Sequence, residues 1–137
     1  MTELVLVYVT CPEGPVALRI ACALVKERLA ACGNIVPGLR SVYVWQGEVH
    51  DDTEVLLLLK TRADRVDDLT ARVQALHPYE LPEVVAVPIN AGSPAYLDWV
   101  RAGVDPAVPG LEPESEPEPD PDPPDVRSPS TSESPGR

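Results

Sequence analysis

The side chains best suited to metal chemistry in this chain of 137 residues are two histidines and three cysteines. A neutral imidazole is the commonest protein ligand for copper and zinc. His77 lies at the predicted end of a helix and is followed by Tyr79 and Glu80. Two interpretations stay open. His77 binds a divalent ion such as Cu(II), or it caps the helix C-terminus, where a partial negative charge favours a cation.

The second histidine, His50, belongs to a polar cluster near a predicted hairpin turn. Its neighbours are Asp51, Asp52 and Glu54. Such a cluster could hold a hard or borderline cation loosely. The simpler interpretation is a solvated, charged turn without a ligand.

The three cysteines show no disulfide pattern. Cys22 and Cys32 are predicted on one helix, ten residues apart, which is about 15 Å along the helix axis. They therefore cannot bridge each other within one chain, and we expect both to pack as small apolar side chains. Cys11 precedes that helix, whose N-terminus would lower the pKa of the thiol and make it reactive. Reduced thiols and the lack of a leader-like pattern in residues 1–9 favour a cytoplasmic protein.

The elements that position these residues follow from hydrophobic patterning. We predict strands at 3–10, 35–46, 48–60 and 81–89, and helices at 16–32, 61–77 and 93–103. The Thr61 hydroxyl is expected to cap the second helix, and Gly33 to follow the first as a left-handed cap. The order β-α-β-β-α-β, followed by a short helix, is that of a ferredoxin-like α+β sandwich, with an antiparallel sheet and two helices on one face.

The two central strands form a hairpin that is larger than a chain of this size is expected to bury alone. Its turn is predicted near Gln46 and Gly47, and the Pro37-Gly38 pair is expected to bend its first strand. We therefore expect self-association through the hairpin. Val44 and Leu57 are the positions expected to lie in the contact between subunits.

The composition changes after residue 104. From Asp105 onward, acidic residues and prolines dominate, and seven of the eleven net negative charges lie there. The sequence thus predicts a domain at 1–104 and a disordered acidic tail at 105–137. The domain shows no basic stripe and no apolar run of membrane-spanning length, so neither nucleic acid nor a membrane is an expected partner.

Several motifs resemble, in the same order, those of the CutA divalent-cation-tolerance family. They are VYVTCPE at 7–13, ERLAACGNIVPG at 27–38, SVYVWQGE at 41–48, LLKTR at 58–62, HPYELPE at 77–83 and YLDW at 96–99. The resemblance covers residues 4–100. It implies a homotrimer joined through the long hairpins, with a role in divalent-metal tolerance and copper binding. No hydrolase or metalloprotease motif occurs in the sequence, and we expect no enzymatic activity.

The resemblance also implies candidate site residues. In some CutA proteins a histidine at the position of His77 binds copper together with a histidine and a cysteine, but these two positions are Leu76 and Val9 here. Cys11 is the sulfur candidate that remains nearby. Five further side chains are placed around clefts between subunits: Tyr43, Trp45, Lys60, Tyr79 and Glu80. These imply either a pocket for a small ligand or partner, as in PII-type signalling trimers, or a network that locks the trimer.

Overall fold

The computed structural model describes residues 3–111, in which strands and helices follow the predicted order. The elements are β1 (Leu4–Cys11), α1 (Gly14–Lys26), β2 (Cys32–Trp45), β3 (Glu48–Arg62), α2 (Val66–Leu76), β4 (Val85–Pro88) and α3 (Pro94–Gly103). A single 3-10 turn, Ala63–Arg65, joins β3 to α2. The β-α-β-β-α-β prediction with a short C-terminal helix is confirmed.

The sheet has the order β2-β3-β1-β4, and all its neighbouring strands are antiparallel. β1 lies inside the sheet and pairs with β3 from Leu4↔Arg62 to Cys11↔Val55. Helices α1 and α2 cover one face of the sheet. The fully buried side chains that join the two layers are Val7, Val9, Ile20, Leu24, Leu57, Leu59, Leu69 and Val73.

Helix α1 ends six residues earlier than predicted, at Lys26, because the chain reverses at Arg28. That residue has a φ of 57°, and the N–H groups of Leu29 and Ala30 both reach back to the Leu24 carbonyl. The Ala31 N–H then bonds to the Lys60 carbonyl of β3, and Cys32 opens β2 instead of continuing the helix. The prediction that Cys22 and Cys32 share a helix is therefore wrong.

Two predicted caps also have other roles. Gly33 lies in β2, where an added Cβ would be 3.1 Å from the Cβ of Ala21, so this glycine permits close packing of β2 on α1. Thr61 lies within β3, and its buried hydroxyl donates to the Leu29 carbonyl at 2.7 Å. Tertiary contacts have replaced the local capping bonds expected at both positions.

The hairpin of β2 and β3 matches its prediction closely. Its register runs from Cys32↔Lys60 to Trp45↔Glu48, with an irregularity between Val36 and Leu39 that corresponds to the predicted bend. Gln46 and Gly47 form the turn, both with positive φ, which suits the right-handed twist of a hairpin.

The far end of the hairpin carries exposed valines. Val42, Val44 and Val49 are 68 %, 68 % and 74 % exposed. Val44 and Val49 are direct cross-strand partners and Val42 pairs with Asp51, so the three side chains lie on one face, which we name the hairpin strip. Leu57, by contrast, is fully buried within the protomer. Its predicted place between subunits is wrong.

Residues 105–111 return toward the end of α1, where the Leu111 N–H donates to the Lys26 carbonyl at 2.7 Å. Composition alone places these residues in the acidic tail. The rest of the predicted tail lies outside the described residues, and the division into 1–104 and 105–137 stays a prediction.

Candidate functional site

His77 follows the last residue of α2 and is 7 % exposed. Its Nε2 lies 2.8 Å from the Thr10 carbonyl oxygen, and its Nδ1 lies 3.1 Å from the Tyr79 backbone nitrogen. A carbonyl can only accept a hydrogen bond and a backbone N–H can only donate one. The imidazole is therefore neutral, with its proton on Nε2.

This tautomer distinguishes the two interpretations of His77, because a helix cap of the predicted kind would be a cation. A cationic imidazole would present a donor at both ring nitrogens, whereas here Nδ1 accepts. The ring is therefore held as a neutral group between the end of β1 and the loop after α2. A neutral imidazole is also the form that binds a metal ion.

Tyr79 lies between His77 and a buried carboxylate, that of Glu54. The Tyr79 ring is 4.6 Å from the His77 ring, and its hydroxyl donates to Glu54 Oε2 at 2.7 Å. Glu54 is almost completely buried. The hydrogen bond from Tyr79 therefore replaces part of the hydration that this side chain loses.

Cys11 is the last residue of β1 and directly follows Thr10, which holds His77. Burial of the thiol and the nearby charge of Glu54 raise the pKa of Cys11 to about 12. The expectation of a thiol pKa lowered by the following helix is therefore wrong, because desolvation disfavours the thiolate. At neutral pH Cys11 is a protonated, buried thiol.

The cluster around His50 is divided between the two faces of the hairpin. Tyr43 and His50 are direct partners with rings stacked at 5.2 Å, and the Tyr43 hydroxyl donates to the carboxylate of Asp52. Asp51 lies on the opposite face, where two 2.7 Å bonds from Arg40 lower the pKa of its carboxyl. Within residues 3–111, no group of three or more His, Cys, Asp or Glu side chains is placed to hold a metal ion.

The five predicted cleft residues do not form one pocket in a single protomer. Tyr43 lies toward the hairpin tip, Tyr79 lies next to Glu54, and Lys60 is near the other end of β3. Trp45 is half-buried beside the turn, and Glu80 is exposed in the loop after α2.

Lys60 contacts two neutral side chains, those of Asn34 and Tyr96, neither of which was predicted as a site residue. Its Nζ lies 3.1 Å from Asn34 Oδ1, 3.2 Å from the Tyr96 hydroxyl and 5.3 Å from the centre of the Tyr96 ring. Tyr96 stacks on Trp99 at 5.6 Å. Their spacing of three residues, which places both on one helix face, was the available signal in the sequence.

Comparison with known proteins gives consistent results. Residues 5–103 match the family described as CutA1 divalent ion tolerance protein. A Thermus thermophilus protein named divalent-cation tolerance protein CutA is 58 % identical over 101 residues, covering 74 % of this chain and 96 % of that protein. An Arabidopsis thaliana protein named protein CutA, chloroplastic, is 48 % identical over 97 residues, which cover 71 % of this chain and 53 % of the relative.

A solved structure shows the same fold. The structure described as divalent cation tolerance protein (Cut A1) from Thermus thermophilus superposes with a TM-score of 0.71 at 56 % identity, covering 73 % of this chain and 97 % of that one. The chain thus spans nearly all of the Thermus protein but only about half of the Arabidopsis one.

Proposed function

The chain belongs to the CutA1 divalent ion tolerance family, and on that premise we propose that it acts in divalent-cation tolerance as a non-enzymatic homotrimer that binds Cu(II) or a similar divalent ion weakly through His77. The observation that carries the choice of ligand is the tautomer of His77. Its Nε2–H donates to the Thr10 carbonyl, and its Nδ1 carries the lone pair.

This hydrogen bonding suits metal binding. A ligating histidine usually donates its second ring N–H to a backbone carbonyl or carboxylate, which fixes the tautomer and orients the ring. The Thr10 carbonyl has this role for His77. An ion at Nδ1 would displace the 3.1 Å bond from the Tyr79 N–H, which costs about 1–3 kcal/mol if that donor stays buried. We therefore expect weak binding.

Cys11 is the proposed sulfur ligand because it adjoins Thr10. A metal binds the thiolate, so an ion at Cys11 must displace a proton from a thiol whose pKa is about 12. We expect its contribution to increase as the pH rises. Water molecules and partner subunits would supply the remaining ligands.

One observation supports the homotrimer. The hairpin strip of Val42, Val44 and Val49 is exposed in the single protomer, and contiguous exposed apolar side chains mark interaction surfaces.

A cytoplasmic location stays a prediction, since the Arabidopsis relative is named as chloroplastic. In the described part of the chain, none of the helices is long and apolar enough to cross a bilayer.

A calorimetric titration with Cu(II) tests His77. We expect His77→Ala to lower the affinity at least about 10-fold and the matched control His50→Ala to leave it unchanged. Since His77 is buried, circular dichroism must first show that the variant is folded, and His77→Gln provides a second variant with hydrogen-bonding capacity. If both folded variants bind Cu(II) with the same affinity as the wild type, His77 is not a ligand.

A second candidate function has its own supporting observation at Lys60. Its ammonium group contacts only the neutral side chains of Asn34 and Tyr96 among the contacts found in residues 3–111. A half-buried cation without a carboxylate partner could bind a small anion. We therefore keep, as the alternative, a PII-like signalling or interaction trimer that binds a small ligand or a partner protein at its intersubunit clefts.

Inorganic phosphate in metal-free buffer is a suitable probe of this alternative. Phosphate should shift the NMR signals of Asn34 and Tyr96 in the wild type, not in Lys60→Met, and still do so in the control Lys26→Met. If the wild-type signals do not respond to millimolar phosphate, an anion site at Lys60 is refuted.

A further inference from the structure

The residues after α3 form a defined turn that directs the chain back to α1. The Asp105 carboxylate accepts a bond from the Ala107 N–H at 2.9 Å, and the Asp105 carbonyl accepts one from the Val108 N–H at 3.0 Å. An aspartate that bonds to the backbone two residues later is typical of an Asx turn. We name residues 105–111 the C-terminal strap. The strap follows the residues 5–103 that match the family.

The end of the strap binds to the end of α1 through its backbone. The Leu111 N–H donates to the Lys26 carbonyl at 2.7 Å, and Arg28 Nε donates to the Pro109 carbonyl at 2.9 Å. Lys26 is the last residue of α1, and the last carbonyls of a helix have no partner within it. The strap therefore supplies a donor that the helix itself lacks.

Arg28 makes this contact from an unusual backbone conformation. Its φ of 57° lies in the left-handed region, which residues other than glycine rarely adopt. From this position its guanidinium lies 2.9 Å from the Pro109 carbonyl and 3.5 Å from that of Gly103. One side chain thus connects the chain reversal after α1, the end of α3 and the strap.

Position 110 accepts only glycine without rearrangement. An added Cβ would lie 2.8 Å from the Lys26 carbonyl oxygen and 3.0 Å from the Glu27 Cα. Both are backbone atoms and cannot rotate away. A larger residue would therefore push the strap off the end of α1.

An apolar groove lies beside this contact, between the ends of α1 and α3. Its volume is about 360 Å³, and its lining includes Val25, Ala31, Trp99, Ala102 and Leu111. Leu111 of the strap and Arg28 both contribute to the lining, and the Leu111 side chain is 61 % exposed. This surface combines a backbone acceptor, a guanidinium that donates to backbone carbonyls, and an apolar wall. Peptide-binding surfaces use the same features.

We propose that this surface is a docking site for an extended Pro-Gly-Leu segment, and that residues 109–111 of this chain are its occupant. The four glutamates within residues 112–118 follow the docked segment, and Lys26 and Arg28 lie where it ends. The site recognises glycine at its centre because of the backbone contacts at Gly110. It also fixes the point at which the acidic residues leave the domain.

Amide hydrogen exchange on the full-length chain tests the docking. Gly110→Val should lower the protection of the Leu111 N–H by about 10-fold, as expected when a hydrogen bond and its apolar contact are lost together. The control Ala107→Val also creates a valine, by adding two methyl groups at an exposed position of the strap, and should keep the wild-type protection. Arg28→Gln, which removes the bond to Pro109, should act like Gly110→Val.

Rescue by a peptide tests recognition separately from folding. A short tether gives an effective concentration in the millimolar range, so a free peptide of residues 105–117 is added to the full-length Gly110→Val chain at millimolar concentration. It should shift the Trp99 indole NMR signal, whereas a peptide with valine at position 110 should not. Wild-type protection in Gly110→Val, or equal effects of the two peptides, would overturn the proposal.

Discussion

A charge placed on the hairpin strip gives the sharpest test of the proposed assembly. Val44 is 68 % exposed in the protomer and pairs directly with Val49. Because most of this side chain is exposed, an aspartate at position 44 should disrupt few contacts within the protomer. We therefore expect Val44→Asp to separate the subunits and leave the protomer folded.

The magnitude follows from the exposed area. Full burial of a valine side chain contributes roughly 1.5–3 kcal/mol, and about two-thirds of each strip valine is still exposed. Covering the three valines would then contribute roughly 3–6 kcal/mol per protomer. Val44→Asp removes the contribution of one of the three valines. It also adds the cost of desolvating a carboxylate, which is several kcal/mol. Each 1.4 kcal/mol corresponds to about tenfold in the association constant.

Light scattering during size-exclusion chromatography at micromolar concentration is the assay. The wild type should have about three times the protomer mass of 14.8 kDa, and Val44→Asp should approach one protomer mass. Leu18→Asp is the control, since Leu18 is a half-exposed residue on α1, outside the hairpin. A Val44→Asp chain that keeps the wild-type mass would refute the reasoning that the strip is an interface.

Three further predictions concern the protomer. The pKa of Cys11 rises from 9.0 to about 12 on folding, so the folded state binds more protons between these values. The free energy of unfolding should therefore fall as the pH rises from about 9 to about 12. Urea melts of the wild type should show this loss relative to Cys11→Ala, which lacks the thiol. Thr61→Val removes the donor to the buried Leu29 carbonyl, and thermal melts should show a loss of about 1–3 kcal/mol; an unchanged melt would mean that this carbonyl finds another donor. Tyr79→Phe removes a bond to the buried carboxylate of Glu54 and should cost about 1.5–3 kcal/mol in urea melts, against no loss if water replaces the hydroxyl.

Much of the fold could be predicted because local signals and the fold agree. The Gln46-Gly47 turn and the bend at Pro37-Gly38 both lie where the sequence placed them. Their positions depend on turn residues and on the restricted backbone of proline, which act over a few residues. The order of elements, and with it the ferredoxin-like fold, followed from such signals.

The errors occurred where a distant segment outcompeted a local preference. The alanine-rich run after Leu29 favours a helix by composition, but the Ala31 N–H bonds to the Lys60 carbonyl in the sheet. Leu57 belongs to a run of apolar residues in which the sequence does not show which side chains face the helices. Packing against α1 and α2 buries Leu57. No local pattern contains these partners, which belong to other elements of the fold.

The sequence alone determined the family, the order of elements and His77 as the candidate ligand, because motifs and periodicity are properties of neighbouring residues. Only the tertiary structure decided the protonation of the site. The neutral tautomer of His77 depends on the Thr10 carbonyl across the fold, and the high pKa of Cys11 depends on burial and on Glu54. Electrostatic properties of buried groups are set by what surrounds them in space, and chain folding brings those surroundings together.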